Sequence, residues 1–251
     1  MSGADITTAA TGTTMATGAR GRSGSYLGGA LRIAGKDLRL EMRRLSGLTA
    51  MLVLAIAIVM AFAFCFGVPT MKRLGPERLV PAVLWISILF SSLSGLRGAF
   101  ASEREHETLT ALVLCPVDPS AIYLGKLLSN LALVGALEAI LLPLTAVLFG
   151  WDLLPALPAV ALVVFLHTLG FVALGTLFSA MVTRLRQGEA LLAILMIPLS
   201  VPLIISAGKA TGVAIAAAPL SEVRFWLGLT AVFDALALAG SLLLFGALVE
   251  E

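Results

Sequence analysis

Six apolar runs constrain this chain more than any other feature. Each is close to the roughly 20 residues a helix needs to cross hydrocarbon. They lie at about 48–68, 79–100, 127–149, 157–182, 190–207 and 226–249 of the 251 residues. Within a bilayer the backbone must satisfy its own hydrogen bonds, so runs of this kind are helices. Composition agrees: 59% of residues are apolar and 13% charged, against about 45–50% and 25% in soluble domains. The mean hydropathy is +1.02. The expected fold is an all-α integral membrane protein of six transmembrane helices, with residues 26–251 as one transmembrane domain. A soluble enzyme and a nucleic-acid binder are both disfavoured. The fifth run is the shortest, and Pro198 and Pro202 are expected to kink or unwind it.

Residues 1–25 are Ala, Thr, Gly and Ser with little apolar content, which predicts a disordered tail. They lack the basic and apolar regions of a secretory signal, and Met15 is a second candidate start. Residues 28–46 show helical periodicity. Leu31, Leu38, Met42 and Leu45 share one face, while Arg32, Lys36, Arg39 and Arg43 form a basic stripe beside it. A basic amphipathic helix ahead of a membrane span is expected to lie in the headgroup layer, cations on anionic lipid.

Cation placement orients the spans. With the N-terminus inside, the cytoplasmic segments hold Arg20, Arg22, Arg32, Lys36, Arg39, Arg43, Arg44, Arg97, Arg104, Lys126, Arg184 and Arg186. The outer segments hold Lys72, Arg73, Arg78, Lys209 and Arg224. Both termini are therefore expected in the cytoplasm, although the 69–78 loop is basic for an outer segment. Cys65 lies in an apolar run and Cys115 in a cytoplasmic loop, a separation that disfavours a bridge.

The 101–126 loop is the most informative polar segment. Ser102 and Glu105 fit a capping box, and Leu109, Leu112 and Val113 then share a helical face before Cys115-Pro116 ends the helix. Asp118-Pro119 starts another. Charges at Glu103, Arg104, Glu105, His106 and Glu107 beside apolar anchors make a socket for a partner or a solvated connector. No energy source lies within the chain. Its Gly-Lys pairs, at 35–36, 125–126 and 208–209, are followed by Asp37, Leu127 and Ala210, and Ala30, Ser120 and Leu203 stand where a P-loop needs its first glycine. Catalytic and metal-binding motifs such as HExxH, GxSxG and CxxC are absent as well, so no catalytic or metal-ligating residue is assigned.

Three ionisable residues stand inside the spans. Glu138 shares a stripe with Asn130 and Thr145; Asp234 shares one with Thr230 and Ser241; His167 stands alone in the fourth span. A proton or substrate relay and interhelical packing both account for the carboxylates. Axial haem ligation is a further possibility for His167. Ser87, Ser91, Gly95 and Gly98 form a small-residue packing stripe.

Together these segments are similar to the CcmB family. The resemblance is carried by Phe90-Ser91-Ser92-Leu93, Glu103-Arg104-Glu105, Leu109-Thr110-Ala111-Leu112, Pro116, Gly125-Lys126-Leu127 and the Leu191–Leu203 stretch with its Ile-Pro-Leu and Val-Pro-Leu steps. It spans about residues 28–249. The resemblance implies an ABC-2-type permease of the bacterial inner membrane, a homodimer working with two copies of the CcmA ATPase. It also implies work with CcmC, CcmD and the haem chaperone CcmE in cytochrome c maturation. On that basis residues 102–114 are the coupling helix, helped by the interfacial helix. ATP acts through the partner, and haem is the handled ligand rather than a resident cofactor. Two other readings stay open: an ABC-2 permease for a lipid, glycan or drug, and a gradient-driven transporter using Glu138 or Asp234.

Overall fold

The computed structural model describes residues 23–44, 46–97, 119–182, 185 and 188–250. Its seven described helices are α1 (Ser23–Arg44), α2 (Ser46–Leu74), α3 (Pro76–Arg97), α4 (Pro119–Phe149), α5 (Leu153–Val182), α6 (Gly188–Ile215) and α7 (Leu220–Glu250). Helices α2 to α7 are each long and apolar enough to cross a membrane. Successive spans run antiparallel through short turns at one end, where Gly75, Gly150 and Ala217 take positive φ. The other ends of the spans, where α1 also lies, are connected through residues 98–118 and 183–187.

Helix α1 begins at Ser23, inside the tail that composition assigns to residues 1–25. Gly67 (φ 62°) breaks α2, and Pro69 follows it. The span proper therefore ends there, and Lys72 and Arg73 ride on a short helical continuation rather than on an open loop. Helix α6 departs further from expectation. Its backbone stays helical through Pro198 and Pro202 and runs on to Ile215, so the prolines do not unwind it. A proline forfeits one amide donor, a loss that neighbouring helices help a membrane helix to tolerate. Lys209 does not end the span because its exposed side chain can carry its ammonium along the helix to the membrane surface.

Helix α3 is the most buried span, packed among α2, α4 and α6. Its small residues permit this: Ser87 and Ser91 are fully buried, and Gly95 leaves room for Met51 of α2. Helix α5 offers Gly175 to Leu96 of α3, and Ser179 donates to the Leu96 carbonyl (2.9 Å). At the turn end, α3 and α6 meet backbone to backbone, since a Cβ on Gly212 would lie 2.8 Å from the Glu77 carbonyl oxygen. Overpacking of this kind costs about 1–3 kcal/mol. Gly212→Val should therefore lower the thermal midpoint in detergent. Gly135→Ala, whose new Cβ meets nothing within 4 Å, should stay within about 0.5 kcal/mol of the parent.

Candidate functional site

The coupling residues expected from the sequence, Glu103, Arg104, Glu105, Leu109, Leu112 and Val113, lie outside the described residues, as do His106 and Cys115. The described part of the same end is built around α1, which carries three stripes. Leu27, Leu31 and Met42 are exposed on one, as an interfacial helix requires. Arg32, Lys36, Arg39 and Arg43 are exposed on a second. Ala30, Ile33 and Asp37 form the third, which is seated on α4.

That third stripe is the feature sequence reading missed. Gly125 of α4 has no side chain, and the gap is filled by Ile33 and the Ala30 carbonyl, at 2.7 Å and 2.9 Å from where a Cβ would stand. One residue on, Lys126 reaches Asp37 with Nζ 2.9 Å from Oδ2. The Lys126 side chain is 4% exposed and that of Asp37 14%. Lys36 also reaches Asp37, at 3.1 Å, but from a half-exposed position. A cation this deep is stable only when paired. The first span is tied to α1 as well: Glu41 accepts from the Gly47 and Leu48 amides at 2.7 and 3.1 Å. It caps the N-terminus of α2 with a carboxylate, the charge that a helix start favours. Helix α1 is thus fastened to two spans by two acidic residues, and a push on it reaches both.

Within the membrane, α5 meets polar side chains of α4 and α7. Thr168 donates to Glu138 Oε1 of α4 (2.5 Å), and Asn130 of α4 donates to Thr176 (3.0 Å). Tyr123 of α4 donates to the Ala173 carbonyl (2.9 Å), which Ser241 of α7 approaches at 3.5 Å. Thr145, by contrast, turns back onto its own helix at the Leu142 carbonyl. Asp234 of α7 sits where Gly170 lacks a Cβ, and its carboxylate finds no hydrogen bond among the described residues. Thr230, on the same face, bonds instead with Ser206 of α6 (2.6 Å).

His167 is fully buried between Trp85 (ring centroids 4.2 Å apart) and Phe171 (6.0 Å). The Leu203 backbone is its polar neighbour, at no regular hydrogen-bond geometry. Glu138 and Asp234 therefore meet α5 at Thr168 and Gly170, while His167, itself on α5, faces Trp85 of α3. Among the described residues, no three His, Cys, Asp or Glu gather as a metal site would require.

The family model for CcmB protein matches residues 29–247, which includes most of α1 and all six spans. This chain belongs to the CcmB family. Relatives named heme exporter protein B bear this out. The Pseudomonas aeruginosa protein is 30% identical over 76% of this chain and 84% of its own. The Paracoccus denitrificans protein is 31% identical over 80% and 91%, and that of Escherichia coli K12 31% over 71% and 80%. In this CcmB protein the Gly125-Lys126 pair is no phosphate loop but the seat of α1.

Removing one partner of a buried ion pair costs about 3–5 kcal/mol. Asp37→Ala should therefore destabilise the protein strongly and release α1. Asp37→Leu combined with Lys126→Met should recover most of the loss, as tryptophan-monitored thermal unfolding in detergent would report. Equal losses in the single and double variants would mean that the pair does not hold α1.

Proposed function

We propose that this chain is the permease subunit of an ABC-type haem exporter in c-type cytochrome maturation. It converts ATP hydrolysis by a separate ATPase into movement of its spans. The observation that carries this reading is the family match over nearly the whole six-span chain, supported by the absence of a phosphate-binding loop of its own. The protein is not itself an enzyme. Its complex comprises a CcmA-like ATPase, a second copy of the permease, and CcmC, CcmD and CcmE. The cations of α1 favour the cytoplasmic face of the inner membrane as its position, with both termini in the cytoplasm.

Force enters at the α1 end. Residues 102–114, with Glu103, Arg104 and Glu105 at the head and Leu109, Leu112 and Val113 along one face, seat on the ATPase. Helix α1 transmits the motion, because Asp37 and Glu41 fix it to α4 and α2. Movement of packed helices as rigid bodies is the ordinary form of such a transition.

Deletion of the protein should abolish c-type cytochromes on haem-stained gels; normal amounts would refute the haem assignment. Reversing the charges of Glu103, Arg104 and Glu105 together should release the ATPase from the purified permease without affecting membrane insertion. Unchanged co-purification would refute the coupling assignment. Glu138→Gln keeps an acceptor for the Thr168 hydroxyl, so cytochrome formation should stay within about twofold of the parent, a sub-kcal/mol effect. Loss of activity would favour a gradient-driven mechanism instead.

A further inference from the structure

At the end of the bundle opposite α1, a groove of about 640 Å³ opens between the start of α3 and the end of α6, closed on one side by the first turn of α7. Its inner wall is sealed: Trp85 is 1% exposed, held by its bond to Thr211 (3.1 Å) and by contact with the His167 ring. The accessible surface is aliphatic. From Leu79 to Leu93 every residue of α3 is buried except Ala82, Ile86 and Phe90, which form one open stripe. On α6, Val201, Ile205 and Lys209 repeat that spacing and are all exposed. Residues four apart lie on one face of a helix. Ala82, Ile86, Ile205 and Lys209 all line the groove, so two stripes flank one channel that opens sideways from the bundle. From Arg78 to Ile86 is eight residues, or about 12 Å along a helix, within the roughly 15 Å of one hydrocarbon leaflet. The groove therefore runs from headgroup level into a leaflet, with its open side toward acyl chains.

Its mouth carries charges of both signs. Arg78 on α3, Lys209 on α6 and Glu222 on α7 are exposed, while Glu77, half-buried, turns its carboxylate back over Gly75. None of the four forms an ion pair among the described residues. Two cations and two carboxylates thus share one opening without neutralising each other. A ligand of a single charge is attracted by half of this set and repelled by the other half. A ligand with adjacent anionic and cationic groups satisfies both. Glu77 is committed to the start of its own helix, where negative charge is favoured, so Glu222 is the carboxylate left to meet a cation.

We infer that this groove seats a zwitterionic phospholipid bearing a primary ammonium, of the phosphatidylethanolamine class. Its phosphate pairs with Arg78 and Lys209, its ammonium with Glu222, and one acyl chain lies along Ala82, Ile86 and Ile205. The long stem of Lys209 rests on the apolar wall while its ammonium reaches headgroup level. A primary ammonium donates hydrogen bonds to a carboxylate, the stronger, charge-assisted kind; a trimethylammonium has no hydrogen to donate. An anionic lipid would bring its net charge beside Glu222 and Glu77. The bilayer itself presents the occupant to the open side of the groove. So seated, the lipid bridges α3, α6 and α7, and the assignment is independent of the exported cargo.

The full-length protein, stripped of lipid in mild detergent, is titrated with dioleoyl phosphatidylethanolamine, phosphatidylcholine and phosphatidylglycerol, and bound lipid is read by native mass spectrometry. The ethanolamine lipid should bind about 10-fold or more tighter than either of the others, the effect of one charge-assisted hydrogen bond. Glu222→Ala should bring it down to the level of the choline lipid. Arg78→Gln with Lys209→Gln should weaken all three by about 10-fold or more, as loss of the phosphate contacts requires. Ala82→Phe, which fills the groove and keeps all four charges, should abolish the site for all three. Glu222 and Ala82 are exposed, so both variants should keep the thermal midpoint of the lipid-free parent. Equal binding of the three lipids, or unchanged binding in any of the variants, would overturn the assignment. So would a preference for phosphatidylglycerol, which would make the mouth an anionic-lipid site. Dissociation of a dimer of this chain by Ala82→Phe, with lipid binding unaffected, would make the groove a contact between two copies and likewise overturn it.

Discussion

Hydrocarbon offers no hydrogen-bond partner to an amide, a hydroxyl or a carboxylate, and each such group buried without one costs several kcal/mol. The backbone answers by forming helices; the side chains answer by turning toward one another. Helix α5 is where most of them turn. Thr168 donates to Glu138, Asn130 donates to Thr176, and Tyr123 donates to the Ala173 carbonyl. Small residues bring the helices close together, with Gly170 beside Asp234 and Gly175 beside Leu96. Polar pairing and close packing are two consequences of the same solvent, and together they fix the arrangement of the spans.

The same constraint explains how an element that does not cross the membrane can act on elements that do. Helix α1 cannot bury its cations, so it stays at the surface. It still needs a firm attachment if motion is to pass through it. A buried Lys126–Asp37 pair and a Glu41 cap supply two such attachments, one on α4 and one on α2. Both spans begin at that end of the bundle, so a displacement of α1 acts at their starts.

What the sequence made legible follows from range. Six spans and an amphipathic α1 are periodic features, readable within a window of about twenty residues. The cationic stripe of α1 was legible for that reason. Its docking stripe was not: Ala30, Ile33 and Asp37 are unremarkable until Gly125 and Lys126, some ninety positions away, are placed against them. Glu138, Asp234 and His167 stood out because charge is rare in a span. Their partners did not, because Thr168 and Gly170 are common residues in membrane helices. The fifth apolar run ends at about 207, whereas the helix continues to Ile215.

The central claim is that this permease has no motor of its own and that force reaches it through the polar segment between α3 and α4. The side of the membrane on which that segment lies tests the claim most directly. With Cys65 replaced by Ser, Cys115 is the remaining thiol of the chain's two cysteines, and a membrane-impermeant maleimide reports its side. Labelling in inverted inner-membrane vesicles, with none in intact spheroplasts, is the result this account predicts. Labelling from outside intact spheroplasts would place the segment beyond the reach of any cytoplasmic ATPase and contradict it.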